Sequence, residues 1–290
     1  MLTANKWKDY KILDAGDGMK LEKWADITLA RPDPQVIWEK QEPKLWNSAD
    51  ATYNRSREGG GSWEYLKKIP QNWTVKYDDL TFKIEPMGFK HTGLFPEQAV
   101  NWDWMRELIA KRRFEGKNVS VINLFGYTGG ATVACAAEGA SVCHVDAAKG
   151  MVERCKENIA LSNLQGSHVR YIVDDCFKFV TREIKRGNKY DGIILDPPSY
   201  GRGPGGEVWK LEDNLFKFVK QLTEIMSEEP LFFLLNSYTT GFSPCVTANI
   251  LEMTVNSKFN GKVFADDIGL PIKSGKKIVL PCGSSARWES

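Results

Sequence analysis

The chain has 290 residues, 42% hydrophobic and 26% charged, with a formal net charge of +2. That is ordinary globular composition, sized for one large domain or for a domain of about 200 residues with a smaller companion. No run approaches the ~18 apolar residues of a membrane span, the opening MLTANKWKDYKILDAGDG lacks a signal-peptide core, and the mild charge neither demands nor excludes a nucleic-acid partner.

Residues 1–87 read as a small, mostly β domain. Six of the ten tryptophans (Trp7, Trp24, Trp38, Trp46, Trp63 and Trp73) lie here, and short apolar runs such as Ile27–Leu29 and Val36–Trp38 are broken by Pro, Asp and Gly. Gly59-Gly60-Gly61 marks a turn, and V-K-Y-D-D-L-T-F-K-I-E (Val75 to Glu85) alternates around an Asp pair as a β-hairpin does. The first 88 residues carry as many acids as bases, so no basic face shows in the linear charge. The tryptophans either fill a core short of aliphatic volume or stack on bases.

Residues 88–290 read as an α/β domain. Trp102–Phe114 has helical spacing. Strands are then predicted at Val119–Leu124, Ala140–Val145, His168–Val173, Tyr190–Leu195 and Leu231–Leu235. Helices between and after them are predicted at Ala131–Glu138, Gly150–Leu164, Phe177–Arg186, Asn214–Met226 and Val246–Val255. Such alternation implies parallel strands with covering helices, an open doubly wound sheet. Two final strands, Lys262–Ile268 and Lys276–Leu280, have no helix between them and suit an antiparallel edge, giving a mostly parallel, seven-stranded, Rossmann-like sheet.

In such a sheet a ligand binds beyond the carboxyl ends of the strands, near the point where strand order reverses. The first strand runs into N-L-F-G-Y-T-G-G (Asn123 to Gly130), a glycine-rich turn without G-x-G-x-x-G spacing. It either receives a nucleotide or is simply a tight connection. The second ends at Asp146, about twenty residues past the loop, where an acid can accept from ribose hydroxyls or cap the next helix. At the third, Asp175 could accept from an adenine amino group, with the Cys176 amide donating to a ring nitrogen; a helix cap is the alternative. The fourth ends in D-P-P-S-Y, Asp196 to Tyr200. Two prolines hold that backbone extended and the acid rigid, with Tyr200 free to stack on a planar target; a plain turn is the other reading. After the fifth, Asn236 could orient an acceptor or satisfy the loop backbone.

Six cysteines without C-x-x-C spacing suggest free thiols in a reducing cytoplasm, and three histidines make a histidine-built metal site an unattractive reading.

Together these motifs make the chain resemble class I S-adenosylmethionine (SAM)-dependent methyltransferases. More narrowly, it resembles the group around the bacterial large-subunit ribosomal RNA methyltransferases of cytosine carbon-5 or guanine N7. The resemblance runs from about Phe89 to the C-terminus and includes K-H-T-G-L-F-P-E-Q (Lys90 to Gln98), similar to that group's T-G-x-x-x-D-Q element. It implies that Thr92 and Gln98 enclose the cofactor near its methionine end and that Asn123, Gly126, Thr128 and Gly129 line it. Asp146 would hold the ribose, Asp175 and Cys176 the adenine, while Asp196, Pro197 and Tyr200 face the methyl acceptor, with Asn236 beside them. Glu97-Gln98-Ala99 stands where the group has D-Q-R, so an arginine contact is absent. Cytosine-5 chemistry needs an attacking thiolate, which the group places just after the fifth strand; here that position reads Asn236-Ser237-Tyr238, with Cys245 nine residues beyond Asn236. The expectation is therefore N-methylation of an RNA base, ribosomal RNA first. The alternatives are a small-molecule or protein acceptor, an NAD-dependent oxidoreductase, for which D-P-P-S-Y has no use, and a non-catalytic RNA-binding protein.

Overall fold

A computed structural model describes all residues except 57–59, 89, 203–207, 240 and 275–277. Gly59 of the triple glycine and the predicted strand start at Lys276 therefore lie outside the described residues. The chain forms two compact units: one holds Leu2–Ala99 with Ile268–Cys282, the other Met1, Val100–Asp267 and Gly283–Ser290. The expected division fell at residue 87, with the whole C-terminal part in the second domain. No helix among the described residues is long and apolar enough to cross a membrane.

The unit built on Leu2–Ala99 is mostly β. Strands Tyr10–Gly16, Met19–Trp24, Ile27–Pro32, Ala51–Arg55 and Gly61–Tyr65 form one sheet in chain order. All neighbours are antiparallel except Ile27–Pro32 with Ala51–Arg55. The first turn is Asp17-Gly18, both residues with positive φ (53° and 72°), the backbone that a two-residue hairpin with right-handed strand twist requires. The expected hairpin is present as Trp73–Tyr77 paired with Leu80–Ile84, turning at Asp78.

Trp24 is fully buried, and the other five tryptophans of this region donate their ring N–H groups inward. Trp7 reaches the Pro96 carbonyl, Trp38 that of Ala15, Trp63 that of Met87, Trp73 that of Trp24, and Trp46 the Asp14 carboxylate. These contacts support the core-filling reading. Between two strands the buried Glu22 carboxylate takes two bonds from Arg31 (2.6 and 2.8 Å) and one from the Tyr10 hydroxyl (2.7 Å). Burial alone would raise the Glu22 carboxyl; Arg31 and Lys20 more than offset it and hold it at about 2.

The larger unit carries the doubly wound sheet. Its parallel strands are Ser120–Leu124, Ser141–Asp146, Val169–Val173, Gly192–Leu195 and Phe232–Ser237. From Ser120–Leu124 the chain steps outward through the second and third strands, then returns to place the fourth and fifth on the other side. The first strand thus stands at the reversal point. Gly192–Leu195 and Phe232–Ser237 are buried at every residue, as expected of strands covered on both faces. The helix Cys176–Arg186 shows the local logic: Asp175 caps its N-terminus, Lys185 and Arg186 occupy its last turn, and Gly187 (φ 71°) ends it.

The last two strands, Lys262–Pro271 and Val279–Glu289, are adjacent in the same sheet. The second runs past the expected end at Leu280 to pair antiparallel with Phe232–Ser237, from Phe232↔Glu289 to Ser237↔Ser284. The sheet has eight strands rather than seven; the addition is the two-residue Leu2–Thr3, paired with Ile268 and Gly269. Tyr200–Arg202 and Val208–Lys210, a short antiparallel pair after D-P-P-S-Y, were also not anticipated.

Candidate cofactor and acceptor site

Four of the predicted positions come together because four neighbouring parallel strands end on the same side. The loop after the first strand is unusual in its backbone. Phe125 (φ 56°), Tyr127 (φ 49°) and Gly129 (φ 83°) alternate in the left-handed region, which only glycine adopts freely. Hydrogen bonds hold this path: Gly126 donates to the Val145 carbonyl (3.0 Å), Tyr127 to Asp146 (2.9 Å) and Gly129 to the Gly126 carbonyl (2.9 Å). The Asn158 amide donates to the Thr128 carbonyl (2.9 Å), and Thr128 is buried. The two glycines are required by protein packing beneath the loop. A Cβ on Gly126 would lie 2.4 Å from the His144 ring, and one on Gly129 would lie 2.2 Å from the Cys155 sulfur.

Asp146 is partly buried at the tip of the second strand. One carboxylate oxygen accepts from Tyr127 and the other from the Ala148 amide (2.8 Å). Burial raises its carboxyl, and those two amides counter the rise. Each oxygen retains lone-pair capacity, so the group can accept from a vicinal diol while anchored to the loop. Asn123 is buried and donates to the Thr132 hydroxyl (2.9 Å).

At the third strand Asp175 accepts from the Lys178 amide (2.9 Å), so the helix-capping role left open by the sequence is present. Cys176 is buried; its sulfur accepts from the Phe125 amide (3.4 Å), and burial pushes the thiol strongly upward. At the fourth strand Asp196 is partly buried, Pro197 buried and Tyr200 51% exposed. The segment is tied from both sides. The Trp209 ring N–H donates to the Pro198 carbonyl (2.6 Å), the Ser199 and Thr239 hydroxyls are 2.6 Å apart, and the Leu211 amide donates to the Ser199 carbonyl. Trp209 also packs on Phe177 (ring centroids 4.8 Å apart) and Phe125 (6.2 Å), linking the acceptor segment to the loop.

Asn236 lies within a buried polar cluster: its side-chain oxygen accepts from Ser285 (2.7 Å) and Asn101 (3.3 Å), and Arg287 in turn donates to Asn101. Thr92 and Gln98 belong to the other unit, both buried, with Gln98 in the 3-10 turn Pro96–Gln98. His144, Thr132, Cys155, Asn158 and Trp209 were not singled out from the sequence. The one local signal was His144, a lone histidine among Val142, Cys143 and Val145.

A family model described as S-adenosylmethionine-dependent methyltransferase matches residues 53–250. The chain belongs to that family. The solved structure of the SAM dependent methyltransferase from Agrobacterium tumefaciens is similar at a TM-score of 0.91 and 33% identity, over 99% of this chain and 92% of that one. The "Ribosomal RNA large subunit methyltransferase K/L" of Colwellia psychrerythraea is 33% identical over 143 residues, and that of Shewanella frigidimarina 32% over 148. Those matches cover 49% and 50% of this chain but only 19% and 20% of the relatives, so the chain covers about a fifth of their length. The chain is thus a SAM-dependent methyltransferase enzyme. The donor set suits the cofactor's adenosine half: an acid beside a glycine-rich turn at the sheet's reversal point.

Proposed function

We propose that this methyltransferase transfers the methyl group to a nitrogen of an RNA base, with ribosomal RNA the first substrate to test. The observation that carries this reading is the Asp196–Tyr200 segment, a rigid edge holding an acid beside an exposed aromatic ring and tied to the cofactor loop through Trp209. Asp146 holds the ribose, Asp175 and the Cys176 amide the adenine, and Asn123, Gly126, Thr128 and Gly129 form the surface against which the cofactor lies. Bound there, SAM supplies an electrophilic methyl group on a sulfonium.

Methyl transfer depends chiefly on positioning. The acceptor nitrogen forms its new bond as the carbon–sulfur bond breaks, and its excess proton passes to solvent. Asp196 and the carbonyl of Pro197 accept hydrogen bonds from the acceptor's N–H groups and so aim its lone pair, while Tyr200 stacks on the ring. Asn236 supports this edge from its polar cluster. No cysteine lies at the tip of the fifth strand, where Asn236 and Ser237 stand, which supports N- over C5-methylation. The names of the ribosomal RNA methyltransferases similar to this chain support RNA as the acceptor. Six free thiols support a reducing, cytoplasmic setting.

The test is incubation with SAM tritiated in its methyl group and RNA from cells lacking the gene, followed by digestion to nucleosides. Label in an N-methylated nucleoside is expected. Label in 5-methylcytosine would overturn the N-methylation assignment. No label with intact ribosomal subunits either, in a preparation that binds SAM, would replace RNA by a small-molecule or protein acceptor.

A further inference from the structure

The balanced linear charge of residues 1–88 hides an uneven distribution in space. Several acids of this unit are turned inward: Asp14, Glu22 and Asp33 are buried. Glu22 pairs with Arg31, Asp33 with Lys20, and Asp14 accepts from Trp46, Ser274 and the Glu42 amide. Lysines elsewhere on the unit are left uncompensated. Lys8, Lys11 and Lys23, together with Asp9, Ala25 and Asp26, line a cavity of about 310 Å³. Lys8 and Lys11 are exposed and Lys23 is half-buried, and among the described residues none of the three side chains has an ion-pair or hydrogen-bond partner. The two acids of the lining do not neutralise them: Asp26 forms no ion pair among the described residues, and Asp9 accepts from the main-chain amide of Lys76 (3.0 Å), itself an exposed lysine.

This arrangement is unfavourable for the protein alone. Lys11 and Lys23 stand directly opposite each other in the antiparallel pairing of Tyr10–Gly16 with Met19–Trp24, where like charges repel. A polyanion removes the repulsion. Each ammonium gains a phosphate, and the counter-ions condensed on the nucleic acid are released.

We propose that the cavity lined by Lys8, Lys11 and Lys23 is a contact surface for the phosphate backbone of RNA, lying outside the methyltransferase unit. The proposal rests on RNA being the partner, as argued above, and gives the unit built on Leu2–Ala99 a share in holding it. Lysine acts on phosphate as a point charge, so the contact positions the RNA and carries no sequence information.

The test is binding of the full chain to a fluorescein-labelled, single-stranded RNA of about 20 nucleotides, followed by anisotropy across a salt series. Each phosphate contact to a single strand contributes about 0.7 to the slope of log affinity against log salt. Lys11→Ala/Lys23→Ala should therefore flatten the slope by about 1.4 and weaken binding about tenfold at about 0.1 M salt. Its melting temperature should hold or rise slightly, because a repulsive pair is gone, and its affinity for S-adenosylhomocysteine should be unchanged. Lys11→Arg/Lys23→Arg keeps both charges and should bind RNA as the native protein does. Lys44→Ala/Lys68→Ala removes two exposed lysines that do not line the cavity and measures the effect of net charge alone. Three results overturn the surface: affinity and slope that survive the loss of Lys11 and Lys23, a loss no greater than that of the Lys44/Lys68 control, or a native protein that binds no RNA. The tritium label judges the acceptor separately. Label in RNA with these lysines idle overturns the surface alone. Lysine-dependent binding without label, ribosomal subunits included, keeps the surface and overturns RNA as the acceptor.

Discussion

The two units bury polar groups in different ways. In the unit built on Leu2–Ala99, full charges lie between strands: Glu22 and Arg31 are joined by two bonds, with Tyr10 and Lys20 beside them. In the methyltransferase unit the buried polar residues of the sheet are Asn123, His144, Asn236, Ser237, Ser284 and Ser285, all neutral, with Asn123, Asn236 and Ser237 at or next to the ends of their strands. A buried ion pair is a stability liability unless complete, and its best-attested benefit is register. Neutral polar groups at strand ends can be left incompletely bonded where a ligand will sit. The difference separates a polar cluster that holds a fold from one that supports a site.

The largest expected effect breaks the first cluster. Glu22→Ala leaves Arg31 buried and unpaired and should cost about 3–5 kcal/mol in urea denaturation; a loss below about 1 kcal/mol would mean that the pair is structurally idle. In the other unit, Gly129→Val imposes a side chain on a left-handed residue against Cys155. It should cost about 2–4 kcal/mol from backbone strain and overpacking combined, read as a fall in melting temperature.

Asp146→Ala should lower stability modestly, by about 1–2 kcal/mol for the two main-chain hydrogen bonds it accepts, and weaken S-adenosylhomocysteine binding by about 2–3 kcal/mol, roughly 30- to 150-fold. Unchanged affinity by calorimetry would refute the ribose assignment. Acid sharpens the contrast further. Burial holds His91 and His144, one in each unit, at about 4 against an ordinary 6.5. Between those values the unfolded chain binds more protons, so stability falls as pH drops from about 6.5 to 4, by up to about 1.4 kcal/mol per pH unit for each ring. Glu22, held at about 2 against 4.5, withdraws its contribution at lower pH, as pH falls from 4.5 to 2. Denaturation midpoints at pH 7, 5 and 3 would separate the two phases. The smallest effect is Asp175→Ala, about 1 kcal/mol for a lost helix cap. If melting drops while cofactor affinity holds, the adenine role fails.

Much of the methyltransferase unit was legible in its sequence. Parallel strands buried on both faces read as continuous apolar runs such as Ile193–Leu195 and Phe232–Leu235. The acids and glycines that follow them mark the ligand-binding edge. The five-stranded sheet of the other unit was less legible, because its short strands carry Lys, Glu and Asp and its partner choices depend on contacts far along the chain. The same limit hid His144, whose contacts are with Thr132 and Gly126. It also hid the partners of Asn236, Asn101 and Ser285, 135 and 49 residues away. Local spacing reports which face a residue occupies, not which distant group completes it.

The interleaving of the two units also has a consequence for biosynthesis. Residues 268–282 belong to the unit that begins at Leu2, and they are engaged there: Ile272 bridges Ile12, Lys273 donates to the Ile12 carbonyl and the Ser274 hydroxyl to Asp14. The unit translated first therefore waits, unfinished, while the ribosome makes the methyltransferase sheet and loops through residue 267. A chain truncated before residue 268 would therefore leave that unit without the contacts of Ile272, Lys273 and Ser274.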